Sequence, residues 1–133
     1  MRNETVATRG GRRIVLMDSI SLIGPDDEGA IIVCGSHGGA ISAAFAARHR
    51  PSLVLFNDAG GGKGGAGRAA IDLLARAGIA CATVGHDTAR IGEAEDAWTN
   101  GRLSAVNEIA ARAGLRAGDA ARTAVEDFAD RRT

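Results

Sequence analysis

Three short segments carry residue types suited to acid–base and anion-binding chemistry. They are Ser36-His37-Gly38-Gly39, Asn57-Asp58 with the glycine-rich stretch that follows it to Gly67, and His86-Asp87 with Thr88 and Arg90. Imidazoles titrate near neutrality, so His37 and His86 suit a base and acid pair, with Asp58 or Asp87 fixing the tautomer of one ring. Glycines let backbone N–H groups approach a ligand closely. Gly38 and Gly39 at a helix start, and Gly61, Gly62 and Gly64 in the loop, are therefore expected to hold an anionic group. Lys63 would add a mobile positive charge, and Asn57, Asp87, Arg90 and Ser36 would complete the polar lining. As a nucleophile Ser36 would need His86 as its base, because its neighbour His37 projects in another direction.

Known phosphate motifs fit this chain poorly. Lys63 is followed by Gly64 where a Walker A loop has Ser or Thr. The dinucleotide fingerprint G-x-G-x-x-G matches at Gly62, Gly64 and Gly67, with Asp87 standing 20 residues further on, but it also fits at Gly60, Gly62 and Gly65. A nicotinamide or flavin nucleotide thus ranks below a simple anion. His37, Asp58, His86 and Asp87 suit zinc or manganese by type, although no H-x-x-x-H or C-x-x-C spacing accompanies them, and a divalent metal is kept as an alternative. The plain structural alternatives are that the glycines only make turns, that His37 bonds a neighbouring loop, and that the glycine loop is surface chain without a ligand. His49, at the far end of a helix, reads as a surface residue. Asn107 would need a partner if buried, and Trp98 either lids the crevice or packs.

Elements able to position these segments follow from the apolar pattern. Arg13 to Met17 reads as a strand that Ile20 to Ile23 continues or pairs with, and Gly24 to Asp27 as a turn. Ala30 to Cys34, Ser52 to Phe56 and Ile79 to Val84 are short continuous apolar runs of the kind found in strands buried on both faces. Between them, residues 39–48 place Ile41, Ala44, Phe45 and Arg48 at helical spacing, and Ala69 to Ala77 place Ile71, Leu74 and Ala77 inward before Gly78 as C′ residue. Residues 85–99 read as a long loop with some helix, with Asn100 as an N-cap. Arg102 to Ala113 reads as a helix, and Asp119 as the N-cap of a last helix bearing Ala121, Val125 and Phe128.

Short alternating connections force parallel strands with right-handed crossovers. The expected fold is one α/β domain over residues 1–133, a small three-layer arrangement of flavodoxin or Rossmann type. Its mainly parallel sheet would have about four strands, with helices on both faces. The glycine and histidine turns would then meet at the carboxyl ends of the strands, where ligands of such sheets bind.

Composition narrows the partners. The 133 residues suit a single core. Sixteen basic and sixteen acidic side chains cancel in mixed order, and with three Phe, one Trp and no Tyr there are few platforms for stacking bases, so no nucleic-acid partner is expected. No signal-type or membrane-type apolar stretch is present, and Cys34 and Cys81 lie in apolar runs as small buried hydrophobes, which suits a cytoplasmic, reduced protein. Glycine-rich packing leaves a core of small side chains, and a homo-oligomer or a place as subunit of a larger complex would add buried area.

An apolar strand ending in His37-Gly38 and a second ending in Asp58-Ala59 resembles the caspase and gingipain clan of cysteine proteases. In that clan the second block supplies the nucleophilic cysteine, and the corresponding position here is Gly60. The resemblance implies a similar placement of His37 and the Asp58 loop, without protease activity. From the residues themselves, the expected function is that of a small-metabolite enzyme, a hydrolase, lyase or isomerase, with His37 and His86 moving protons, Asp58 orienting them and the loop holding an anion. The alternative is a non-catalytic nucleotide- or metabolite-binding module.

Overall fold

The computed structural model describes residues 1–61 and 68–131. Among these, six strands form one mixed sheet in the order β1 (Asn3–Arg9), β2 (Arg12–Met17), β3 (Ile31–His37), β4 (Leu53–Asn57), β5 (Ala80–Val84) and β6 (Leu103–Val106). β2 to β5 run parallel, while β1 pairs antiparallel with β2 and β6 antiparallel with β5. This overturns the expected four-stranded, mainly parallel sheet.

Both added strands escaped the sequence pattern for physical reasons. β1 is an edge strand with no fully buried residue, so it shows no apolar run. Its signal is the Gly10-Gly11 pair, whose φ values of +58° and +79° make the two-residue turn that suits a hairpin. β6 has four residues, and its Leu103 and Val106, with Ile109 and Ala110, fall at a spacing that imitates a helix. The helical part is only α4 (Glu108–Arg112). Ile20 to Ile23 neither continues nor pairs with β2, because Ile20–Leu22 forms a 3-10 turn capped by Ser19.

Alternating residues of the parallel strands feed two cores. Ile14, Leu16, Ile31, Val33, Leu53 and Leu55 face one; Val15, Met17, Ile32, Cys34, Val54 and Phe56 face the other. Each fully buried aliphatic side chain contributes about 1.5–3 kcal/mol relative to exposure, so these strands make a firm platform for the loops at their ends.

Sequential parallel strands with right-handed crossovers keep their connections on one face. Accordingly α1 (Ala40–His49) and α2 (Ala69–Arg76) pack together over the second core. α1 turns in Ser42, Ala43 and Ala46 and leaves Ile41 78% exposed, the reverse of the expected face. After β5 the chain crosses to the other face, where α3 (Ala94–Asn100) packs against β3, β2 and α5 (Ala121–Asp130). Asn100 closes α3 instead of capping a helix, and α5 begins after Ala120, the Asp119 carboxylate accepting from the Arg116 N–H instead. Among the described residues no helix is long and apolar enough to cross a membrane.

Candidate functional site

The connection after β4 leads to α2 on one face and the connection after β5 to α3 on the other. Adjacent loops that diverge in this way mark the place at the carboxyl edge where ligands of such sheets bind. Asp58 and His86 stand at that divergence, each one or two residues beyond its strand.

Residues 85–93 run as a strap along the carboxyl edge from β5 back toward β2. Asn57, at the end of β4, donates its side-chain N–H to the Ala89 carbonyl at 2.9 Å. Gly92 then donates to the Gly35 carbonyl of β3 at 2.7 Å. The Ala94 N–H reaches Asp18 Oδ1, just past β2, at 3.0 Å. The strap lies so close to β3 that a Cβ on Gly35 would come within 2.5 Å of the Gly92 carbonyl carbon.

Asn57 is 1% exposed and its two side-chain ends are both used, since Oδ1 accepts from the Ala59 N–H at 2.8 Å. It therefore ties the strap to the turn Ala59–Gly61, whose three residues all have positive φ, a structural task in place of the expected ligand contact. Next to it, the Asp58 side chain is 8% exposed and its Oδ1 accepts from the Gly60 N–H at 2.8 Å and the His86 N–H at 3.1 Å. The same oxygen lies 3.3 Å from His86 Nδ1, while the His86 side chain stays 60% exposed. A carboxylate only accepts, so this contact calls for the proton on Nδ1, and in the neutral ring that leaves the lone pair on Nε2. Burial pushes the Asp58 carboxyl up, but the Ser104 hydroxyl, the Gly60 and His86 N–H groups and the His86 ring outweigh it and hold the group below its ordinary value.

The His86 ring lies over Gly60. A Cβ there would sit 3.6 Å from Cε1, Nδ1 and Nε2, and the φ of +74° at Gly60 disfavours any other residue. Ser104 belongs to β6, and its hydroxyl lies 2.9 Å from that of Thr83 on β5. The helix read over Arg102 to Ala113 takes in Ser104, and Thr83 falls unremarked in the apolar run Ile79 to Val84. The available signal was Ser104 two residues from Val106 in a strand, hidden by the helical reading of that segment.

The other expected residues divide. His37 is exposed at the end of β3 and pairs with Asn57 on β4, so it shares the carboxyl edge with Asp58 and His86. Ser36 Oγ accepts from the Ile20 N–H at 3.0 Å and so helps to hold the 3-10 turn. Gly38 and Gly39 do not offer open N–H groups, because these bond the Asn57 and His37 carbonyls at 3.0 and 2.9 Å. Gly61 is buried, with its N–H on the Asp58 carbonyl at 2.7 Å. Asp87 is exposed in the turn after His86, its Oδ1 folded back toward Gly85. Arg90 stands apart: its N–H bonds Asp96, and it lines a cavity of about 560 Å³ with Glu93, Glu95, Asp96, Thr99 and Asn100. Gly62, Lys63 and Gly64 lie outside the described residues, as does the best dinucleotide match.

Among the described residues no three His, Cys, Asp or Glu side chains converge as metal ligands do. The looser candidates resolve as packing groups: Trp98 is 8% exposed under the Arg122 guanidinium, and Asn107 caps α4 and bonds the backbone of residues 79 and 81.

No protein-family model, curated protein or solved structure matches this chain. The likeness to the caspase and gingipain clan therefore rests on its two blocks alone; His37 and the Asp58 loop stand on adjacent parallel strands, but the imidazole over Gly60 is that of His86 and not of His37.

Proposed function

We propose that the protein is an enzyme acting on a small anionic or amide-containing metabolite by hydrolysis, elimination or isomerisation, with His86 as the group that takes and returns the proton. One observation carries this reading: a buried Asp58 carboxylate is aimed at Nδ1 of an imidazole that is 60% exposed. An ion pair serving stability alone gains little from so open a partner, whereas a base needs its other nitrogen free for substrate. Asp58 is the orienting group and stabilises the imidazolium formed in the reaction. His37 is the second proton-transfer group, on the neighbouring strand of the same edge. The two thiols, both free and buried, fit the cytoplasmic setting.

Incubating the protein with a cellular metabolite extract and following the mixture by mass spectrometry tests the reading. The native protein is expected to consume at least one compound, and His86→Gln to slow that consumption by about 10²-fold or more. A protein that retains a compound without converting any would be a binding module instead, and a His86→Gln variant of undiminished rate would remove His86 as the base.

A further inference from the structure

We propose that Arg68 holds the anionic group of the substrate, so that the substrate class is a small molecule bearing a carboxylate or phosphate close to its reacting atom. This deepens the reading of His86 as the base and rests on it.

Among the described residues, the backbone N–H groups expected to hold the anion are already taken. At the described part of the site the N–H groups of Gly38, Gly39, Ala59, Gly60, Gly61 and His86 are all engaged within the protein. An oxyanion beside His86 would be favoured by a side-chain cation, the more so because the Asp58 carboxylate is held ionised nearby.

Arg68, at the N-cap position of α2, is placed to be that cation. Its Nη2 and Nε lie 3.5 and 3.9 Å from where a Cβ on Gly61 would be. This is the guanidinium edge that takes a carboxylate or phosphate through two parallel bonds, and Gly61 places no side chain against it. Gly60, the preceding residue, lies under the imidazole in the same way. Successive glycines of one turn therefore carry the proposed base and the proposed anion holder side by side. Among the described residues Arg68 has no carboxylate partner, and residues 62–67 contain no acidic side chain.

The test is a titration of the full chain with inorganic phosphate, and separately with acetate, following the ring signals of His86 and the amide signals of Gly60 and Gly61 by NMR. Saturable shifts are expected with at least one of the two anions, and the tighter of them identifies the substrate group. Arg68→Gln should weaken that binding about tenfold or more, while Arg76→Gln, at the other end of α2, should leave it unchanged. Binding of equal strength in Arg68→Gln, or no saturable shift with either anion, would overturn the proposal. If His86→Gln keeps both turnover and the phosphate response of Gly60 and Gly61, His86 is not the base but the anion site at Arg68 stands.

Discussion

Asp58 Oδ1 and His86 Nδ1 face one another at 3.3 Å across the gap between β4 and β5, at the point where the two following connections leave for opposite faces of the sheet. One oxygen of the carboxylate thereby holds both the backbone and the ring of His86. The consequences can be tested separately.

Asp58→Asn keeps an acceptor for the Gly60 and His86 N–H groups but removes the charge that stabilises an imidazolium. Turnover is expected to fall by about 10²-fold or more with little loss of folding, as read from single-turnover rates beside a denaturation curve. The Asp58 carboxyl is held below its ordinary value of 3.8, so it stays ionised throughout the neutral range. Protonation of Asp58 should therefore not limit the rate until the pH falls below that value.

Gly35→Ala tests the strap. A methyl group would meet Gly92, Glu93 and the Asp18 carbonyl at 2.5 to 2.7 Å, all of them backbone atoms that yield poorly. A stability loss of about 1–3 kcal/mol is expected in urea denaturation. Faster amide exchange at Gly92 and Ala94 should accompany it, and unchanged exchange there would mean that the strap is not held by β3.

Asp18 gives a signed pH dependence. Its carboxylate accepts from the Arg2 and Ala94 N–H groups, and these bonds hold it below its ordinary value of 3.8. The folded pKa is lower than the unfolded one, so the stabilisation is complete above 3.8 and is lost as the pH falls from there through the folded value. Asp18→Asn should cost about 1 kcal/mol at neutral pH, on the scale of a lost helix cap, and should flatten this part of the acid unfolding curve. A thermal-unfolding series from pH 6 down to pH 2 reads both effects.

The two cysteines should be inert in the native protein. Burial raises the Cys34 thiol to about 12 and the Cys81 thiol well above its ordinary value, and Cys34 donates to the Leu55 carbonyl at 3.2 Å. Iodoacetamide at pH 8 is expected to modify neither until denaturant is added, when both should react; mass spectrometry decides.

The buried parallel strands were legible because both of their faces are apolar, which leaves runs such as Ile31 to Val33 and Leu53 to Phe56 that no surface element imitates. The expectation that His37, Asp58 and His86 would meet followed from strand direction alone. β1 and β6 were hidden because an edge strand is chosen by hydrogen bonding and by its neighbours more than by its own side chains. Misreading β6 in turn concealed Ser104, whose hydroxyl helps to keep the Asp58 carboxyl below its ordinary value. Local pattern was also silent on which backbone N–H groups remain open: Gly38 and Gly61 look like anion donors in sequence, but the first bonds the Asn57 carbonyl of β4 and the second the Asp58 carbonyl of its own turn. Asn57 is the same lesson in a side chain, since its partner Ala89 lies 32 residues away.

The placement of the proton on His86 bears most directly on the proposed chemistry. In a ¹⁵N–¹H correlation spectrum of the neutral ring, a protonated Nδ1 and an unprotonated Nε2 are expected, with this preference lost in Asp58→Asn. A ring protonated at Nε2, or one whose tautomer is indifferent to Asp58, would contradict an oriented base at this edge.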